Sequence, residues 1–327
     1  MKQPLNCIEP PGEAGSPADA EDSGDEAEVR EALVSPPQHG SRLDHVLVAI
    51  APEFSRSHLQ RLLAEGHVQV DGGAGGAASR RMRAGQRVRV ELQPTAEALA
   101  FRPQDLPVDA VHEDAHVLVL DKPVGCVVHP APGHWSGTLL NALLHRHPAS
   151  ASLPRAGIVH RLDKDTSGLM VVGLTLEAVT GLVRAIAARE VRREYIALVR
   201  GDGSKLPVAI EAPIGRDPAS RLRMAVVGSG KPARTDLQWL GQHEGVAAVR
   251  CRLHTGRTHQ IRVHLSHAGF PLVGDALYGG APALGMQRQA LHAQRLGFQH
   301  PVTGELLDFE RSPPADLAAA WRAVMGA

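Results

Sequence analysis

The chain has 327 residues, of which 43% are hydrophobic and 3% aromatic, a composition typical of a folded protein with one or two domains. It contains no apolar run long enough to span a bilayer and no N-terminal signal pattern, so neither a membrane protein nor a secreted protein is expected. Three cysteines without CxxC spacing exclude a disulfide framework and favour the reducing environment of the cytoplasm.

The net charge of zero conceals two parts of opposite sign. Residues 1–31 contain nine acidic residues against Lys2 and Arg30, and subtracting these from the totals of 35 each leaves 26 acids and 33 bases, a net charge of +7. The acidic segment is also rich in Pro, Gly and Ala, so a disordered tail is predicted over residues 1–37. In the remainder almost every base is arginine, whose planar guanidinium suits phosphate, and this favours a polyanionic partner.

Residues 38–95 predict a small domain of two helices and a short sheet. Ser41 and Ser55 are candidate helix N-caps, Gly66 is a stop for the second helix, and HVQVDGG and QRVRVEL alternate as short strands do. The outward positions carry seven arginines and few interleaved acids, among them Glu65, which indicates a surface for RNA phosphates. These arginines are Arg56, Arg61, Arg80, Arg81, Arg83, Arg87 and Arg89.

The same segment carries the pattern SRLDxxL followed by SRSxxQRLLxxGxVxVDG. Over residues 41–92 this pattern resembles the small RNA-binding domain shared with ribosomal protein S-four. The stretch GGAGGAAS stands where that family has an ordered loop. The resemblance therefore implies an S-four-like RNA-binding domain.

From residue 96 onward, strands and single helices are predicted without regular βαβ repetition. Strands are expected at VLVL and REYIALVRG, helices over residues 137–146 and 176–189, and a hairpin from LQWL to VAAVRCRLHT. Thr258 is a candidate N-cap for a further helix that ends at Gly269. The mixture predicts an α+β fold in which helices flank a mainly antiparallel sheet.

The stretch HRLDKDTSG places charged residues between two apolar runs, residues 157–159 and 169–172, that are typical of strand ends. Within it, Asp163 lies between Arg161 and Lys164, and nearby cations favour the ionised form of a carboxylate. An isolated loop aspartate more often serves as a turn or cap residue. A carboxylate kept charged at the end of a buried strand suits a nucleophile, so Asp163 is also a candidate catalytic residue.

Histidines crowd residues 254–267, which raises the question of a metal site. No CxxC pair or HExxH sequence accompanies them, so no metal is expected. The chain has no Walker loop and no GxGxxG, so no nucleotide cofactor is expected either. Tyr195, in REYIALV, is either half-buried filler or a ring that lies on a base, and GDALYGG is either a set of turns or a loop that approaches RNA.

Six stretches of the second domain occur in the following order: DKPVGCVVHP, HRLDKDTSGL, REYIALVRG, GKPARTDL, TGRTHQIRVHLSHAGFPLVGDALYGG and RQALHAQRLGFQHPVTGE. Together they resemble the RluA family of ribosomal-RNA pseudouridine synthases. Within that family the chain is most similar to the RluD-type enzymes, which modify large-subunit ribosomal RNA. The resemblance runs from about residue 41 to the C-terminus, with the S-four-like domain in front.

The resemblance implies a catalytic domain over residues 96–327 that breaks the glycosidic bond of a uridine, rotates the uracil and rejoins it through carbon. Asp163 matches the essential aspartate of the family, and Arg262 matches the basic residue that pairs with it. Tyr195 matches the tyrosine that packs on the base and takes the proton from carbon 5, and Ile261 matches the apolar residue under the base. The residues expected to contact the RNA in this domain are Lys122, Arg161 and Lys164. No metal or organic cofactor is implied, and a cytoplasmic monomer acting on ribosomal RNA is expected.

Three alternatives remain open. A glycosidase or nucleosidase also uses an aspartate at a glycosidic bond, but it needs a second carboxylate, and Asp165 is too close in sequence to stand across that bond. A non-catalytic RNA-binding protein would use the same basic surface without isomerising a uridine. Within the enzyme hypothesis, transfer RNA is the alternative to ribosomal RNA.

Overall fold

The structure is a computed structural model that describes residues 28–93, 95–220 and 222–326. Most of the predicted acidic tail, residues 1–27, lies outside the described residues. The described part of the chain divides into two compact units at residues 99 and 100. Within that part, no helix combines the length and the apolar character needed to cross a lipid bilayer.

The N-terminal unit contains, in chain order, β1 (Glu28–Leu33), α1 (Leu43–Ile50), α2 (Arg56–Ala64), β2 (Val68–Val70), β3 (Gly73–Ala74) and β4 (Arg87–Leu92). The strands form one antiparallel sheet in the order β1-β4-β2-β3. The apolar faces of the two helices pack on this sheet, where Leu43, Leu59 and Val88 are fully buried. Ser55 caps α2 by accepting a hydrogen bond from the His58 amide, as predicted.

The prediction that residues 28–37 belong to a disordered tail is wrong. Residues 28–33 pair with β4 along the whole of that strand, and Val34 is buried in the core of the unit. The physical reason is that β4 has an open edge, and backbone hydrogen bonding to that edge orders a segment whose composition alone does not favour folding. The acidic composition of residues 28–33 therefore did not indicate their structure.

The C-terminal unit contains the remaining strands and helices. In chain order they are β5 (Ala110–Glu113), β6 (Val117–Lys122), α3 (Leu139–Arg146), β7 (Ser167–Gly173), α4 (Leu176–Ala188), β8 (Arg192–Arg200), β9 (Ala209–Glu211), β10 (Ile214–Arg216), β11 (Met224–Val226), β12 (Arg234–His243), β13 (Val246–Leu253), α5 (Gln260–His267), β14 (Leu291–Gln299), β15 (Leu306–Glu310) and α6 (Ala315–Met325). The main sheet has the order β5-β6-β7-β14-β8-β13-β12-β9, with β15 also paired to β14. Among the described strands, β7 and β14 are the one parallel pair.

Both faces of the main sheet are covered by helices. Along β6, Leu118 and Leu120 join a cluster that includes side chains of α3 and α5, whereas Val117 and Val119 join a cluster that includes side chains of α4. This alternation follows from the two-residue period of a strand. A further cluster contains side chains of β8, β13 and α6. The prediction of an α+β fold with a mainly antiparallel sheet flanked by helices is confirmed.

Candidate active site

Asp163 lies in the loop that precedes β7, and the backbone of this loop is held at three consecutive carbonyl groups. The carbonyl of Asp163 accepts a hydrogen bond from the Thr166 amide at 3.1 Å, and that of Asp165 accepts one from Arg288 Nη1 at 2.9 Å. The carbonyl of Lys164, between them, accepts hydrogen bonds from an amide and from a buried ammonium group. The Asp163 carboxylate therefore projects from a backbone whose position is fixed.

Lys122, at the end of β6, holds the middle of this loop. Its side chain is fully buried, and its Nζ donates hydrogen bonds to the carbonyls of Pro123, Cys126 and Lys164 at 2.8, 3.0 and 3.0 Å. Burial lowers the pKa of this ammonium group to about 8. The prediction that Lys122 contacts RNA is wrong, because a side chain with no exposed surface cannot reach a phosphate.

The Asp163 carboxylate is paired with Arg262, as the sequence predicted. Arg262 Nη1 donates to Asp163 Oδ2 at 3.0 Å, and the Asp163 side chain is 15% exposed. The other two nitrogens of the Arg262 guanidinium form a fork with Asp275, with Nε to Oδ2 at 2.7 Å and Nη2 to Oδ1 at 2.9 Å. Burial alone would lower the pKa of Arg262, but the hydrogen bonds to Asp275 and the charge of Asp163 outweigh it and raise that pKa. Asp275 therefore fixes the arginine that holds Asp163.

A second group beside Asp163 is His259, which immediately precedes α5. The predicted cap Thr258 is wrong: the helix begins at Gln260, and His259 takes the N-cap position with a left-handed φ of 56°. The Tyr278 hydroxyl accepts a hydrogen bond from the Met224 amide at 3.0 Å and is hydrogen-bonded to His259 Nδ1 at 2.8 Å. The other ring nitrogen, Nε2, lies 3.9 Å from Asp163 Oδ1.

Tyr195 and Ile261 line the same cavity as Asp163 and Arg262, and the volume of this cavity is about 980 Å³. Tyr195 projects from β8 and Ile261 from α5, and the two side chains are 5% and 3% exposed. Burial raises the pKa of the Tyr195 hydroxyl to about 12, with the Asp163 charge adding to the effect. The phenol is therefore neutral near neutral pH.

The predicted RNA-binding residues lie at different places. Arg161 is exposed and lines the cavity, whereas Lys164 is partly buried in the loop next to Asp163. In the N-terminal unit, Arg56 Nη2 lies 2.7 Å from Oδ2 of the buried Asp44. Arg61 Nη2 donates to the ring of its neighbour on α2, and its side chain is 44% exposed.

Comparison with known proteins agrees with this geometry. A family model described as RNA pseudouridylate synthase matches residues 116–267. The ribosomal large subunit pseudouridine synthase D of Xanthomonas campestris pv. campestris is 46% identical over 305 residues, which cover 89% of this chain and 91% of the relative. The chain belongs to the RNA pseudouridylate synthase family. The resemblance inferred from the six stretches is therefore confirmed.

Two further similarities extend over most of the synthase. The ribosomal large subunit pseudouridine synthase D of Nitrosomonas europaea is 44% identical over 293 residues, which cover 87% of this chain and 85% of the relative. The solved structure of human RNA pseudouridylate synthase domain containing 1 is 30% identical, with a TM-score of 0.50, and covers 64% of this chain and 85% of that chain. The fold of the C-terminal unit is thus that of known pseudouridylate synthases.

Two of the histidines that suggested a metal site are hydrogen-bonded to protein groups. His254 Nε2 donates to Asp236 at 2.6 Å, and His264 accepts from the Thr235 hydroxyl at 2.9 Å and donates to a backbone carbonyl. Across residues 28–93, 95–220 and 222–326, no group of three His, Cys, Asp or Glu side chains is arranged to hold a metal ion.

Three side chains at the site were not identified from the sequence: His259, Asp275 and Tyr278. The signals were present, because His259 lies in TGRTHQIR and the other two lie in GDALYGG. Neither stretch has a periodicity that indicates which side chains meet. Their contacts with Asp163 and Arg262 depend on the close approach of α5 and the following turn, which only the folded chain brings about.

Proposed function

We propose that this synthase converts specific uridines of large-subunit ribosomal RNA into pseudouridine. The proposal is supported by relatives that carry this substrate in their names and match the chain over most of its length. Action in the cytoplasm, as a monomer and without a metal or nucleotide cofactor, belongs to the same proposal.

Asp163 is the proposed catalytic carboxylate. The observation that carries this assignment is the fixed Asp163–Arg262 pair in the wall of a cavity of about 980 Å³, a size that accommodates a nucleotide extruded from its stack. In the reaction the bond between ribose C1′ and uracil N1 breaks and a bond between C1′ and C5 forms. The proton on C5 is lost and N1 gains one, so no oxidant or reductant is needed. An anionic oxygen beside C1′ suits either attack on the ribose or stabilisation of its positive charge.

Tyr195 and Ile261 are proposed to hold the uracil between them. Both side chains line the cavity and are almost completely buried, so they offer the base an apolar enclosure. The Tyr195 hydroxyl is also the proposed acceptor of the C5 proton. Because its pKa of about 12 keeps the phenol protonated at neutral pH, the hydroxyl can accept that proton only while passing on its own.

Cationic side chains are proposed to bind the phosphates that flank the extruded uridine. Arg161, at the cavity, and Lys164, beside Asp163, are the candidates in the C-terminal unit. Arg56 and Arg61 are the candidates in the N-terminal unit, where they would add affinity for structured RNA.

A hydrolase that releases free uracil is the competing function. Glycosidases use two carboxylates that flank the scissile bond. Of the described residues that line the cavity, Asp163 is the one carboxylate, and it is held by Arg262. This arrangement favours isomerisation over hydrolysis.

The proposal is tested by mapping pseudouridines in ribosomal and transfer RNA from a strain that lacks this protein. Loss of specific sites in large-subunit rRNA, restored by the wild-type chain, is the expected result. Loss of pseudouridines from transfer RNA alone would show that transfer RNA, and not ribosomal RNA, is the substrate. Incubation of the purified protein with the rRNA sequence around the affected sites should release no free uracil, and its release would identify a hydrolase.

A further inference from the structure

Three lysine or arginine side chains are buried among the described residues of the C-terminal unit: Lys122, Arg193 and Arg262. Lys122 donates to three carbonyls, and Arg262 is held by two aspartates. A buried charge is costly unless it is paired or hydrogen-bonded in this way. Arg193 lacks such compensation.

Arg193 is 4% exposed, and its Nε has no hydrogen-bond partner in the described part of the chain. Burial lowers the pKa of its guanidinium, and the nearby Tyr195 hydroxyl opposes this, with no carboxylate contributing. By contrast, its neighbour Arg192 is paired with Glu194 at 2.8 Å. A buried cation without an anion indicates that the anion comes from outside the chain.

The guanidinium of Arg193 lies in the wall of the Asp163 cavity. Arg193 and Tyr195 are two residues apart on β8, so both project from the same face of the strand, and both line that cavity. The loop opposite contains Gly256, where a Cβ atom would lie 2.9 Å from Arg193 Nη1. The absence of a side chain at Gly256 therefore leaves room for the guanidinium.

The rest of the cavity supplies no anion to neutralise Arg193. The exposed residues along its wall include the cations Arg161, Arg189 and Arg257. Asp163 is already held by Arg262. A guanidinium presents parallel N–H groups that match two oxygens of a phosphate, and phosphate is the anion that RNA carries at every linkage.

We propose that Arg193 is a binding site for a backbone phosphate next to the uridine that enters the cavity. The phosphate provides Arg193 with the negatively charged partner that it lacks in the folded chain. The same contact fixes the position of the adjoining ribose relative to Asp163. This inference rests on the proposed function, since it requires that an RNA nucleotide occupy the cavity.

The test combines one protein change with neutralisation of single phosphates. Stem-loop substrates are made in which one linkage at a time, 5′ and 3′ of the target uridine, is an uncharged methylphosphonate. Single-turnover rates at subsaturating enzyme are measured for the wild type, Arg193→Met and the control Arg192→Met. We expect one linkage at which neutralisation slows the wild type and Arg192→Met about tenfold or more but leaves Arg193→Met unchanged.

A second readout separates ligand binding from a structural role. Because Arg193 is an uncompensated buried charge, Arg193→Met is expected to raise Tm, by about 2 °C or more, while it lowers activity. Equal slowing of wild type and Arg193→Met by every methylphosphonate overturns the proposal, whatever the change in Tm. That outcome would indicate that Arg193 contacts the detached uracil or stabilises the fold, and that it does not bind a phosphate. If the wild type modifies no large-subunit rRNA sequence, the proposed function fails instead.

Discussion

At the scale of single residues, the site depends on how Arg262 divides its donors between two aspartates. The fork to Asp275 uses Nε and Nη2, and Nη1 is left for Asp163. Asp275 is 2% exposed, so it is a buried anion whose charge Arg262 compensates. Lysine has a single ammonium group and cannot reproduce this planar geometry.

This division predicts different results for two substitutions of Arg262. Arg262→Ala removes the partner of a buried aspartate and should cost about 3–5 kcal/mol of unfolding free energy. Arg262→Lys keeps the charge and should cost less stability, yet it should lower the single-turnover rate at least about tenfold because Asp163 loses its alignment. Urea denaturation and single-turnover kinetics check both, with the exposed Arg252→Ala as control. An Arg262→Lys protein with wild-type rates would show that alignment of Asp163 does not need the fork.

The pairing of Asp163 with Arg262 was predictable although 99 residues separate them, because both lie in stretches that resemble a known family. Asp275 was not predictable, since a GDALYGG turn indicates backbone geometry and the aspartate finds its partner only in the folded chain. Lys122 was misassigned because the sequence indicated the strand that it ends but not that its own side chain is fully buried.

At the scale of elements, the loop that carries Asp163 depends on the parallel pairing of β7 with β14. Gly168 makes this approach possible, because a Cβ atom there would lie 2.3 Å from the Ala293 carbonyl oxygen, and the φ of Gly168 is +115°. The glycine is required by both the close approach and the backbone conformation.

Gly168→Ala is therefore expected to push the two strands apart and to cost about 3 kcal/mol or more of unfolding free energy, with loss of activity. Gly304→Ala is the matched control. Gly304 also has a positive φ, of 77°, but a Cβ atom added there would have no neighbour within 4 Å, so strain alone should cost about 1–2 kcal/mol. Equal costs at the two glycines, measured by urea denaturation, would refute the role of the close approach.

In the N-terminal unit, β1 places an acid beside two arginines of the predicted RNA-binding surface. Glu31 on β1 lies 3.4 Å from Arg87 and 3.6 Å from Arg89, so two arginines of the predicted basic surface face an acid. The helices and strands of this unit were predictable from their apolar periodicity and from caps such as Ser55. The strand β1 was not, because a short acidic segment becomes a strand only where another strand offers an edge.

Arginines that face Glu31 should contribute less to the salt dependence of RNA binding than exposed arginines that face no acid. Arg83 is exposed, and substitution by Gln should reduce the slope of log affinity against log salt concentration by about 0.7 to 0.9 if it contacts one phosphate. Arg87→Gln, beside Glu31, should change the slope less. Filter binding of a stem-loop across a salt series measures both slopes. Unchanged slopes for both variants would indicate that this surface does not bind RNA phosphates.

At the scale of the whole molecule, buried neutral histidines make the fold sensitive to acid. His292 is fully buried, where Nδ1 contacts the Ser167 hydroxyl, and burial lowers its pKa to about 4. Burial also lowers the pKa of His129 to about 4 and that of His160 to about 3. Between pH 6.5 and these values the unfolded chain binds more protons than the folded chain, so stability is lost as the pH falls.

For His292 alone the loss should reach about 1.4 kcal/mol per pH unit below pH 6.5. Urea denaturation of the wild type at a series of pH values from 7.5 to 5 should show a slope at least this steep, and His292→Gln should reduce it by about 1.4 kcal/mol per pH unit. The exposed His267→Gln is the control and should leave the slope unchanged. A stability that does not fall between pH 6.5 and 5 would mean that these histidines are protonated in the folded chain.

The central claim is that the Asp163 carboxylate carries the isomerisation, and one measurement tests it most directly. Single-turnover formation of pseudouridine in a large-subunit rRNA stem-loop is followed for the wild type, Asp163→Asn and Asp165→Asn. Asp165 is two residues away and is not among the residues that line the cavity. We expect Asp163→Asn to form no pseudouridine while its RNA affinity stays close to wild type, because removing an anion does not weaken binding to a polyanion. Asp165→Asn should remain active. Turnover by Asp163→Asn within about tenfold of the wild type, a barrier change of only about 1.4 kcal/mol, would contradict the claim.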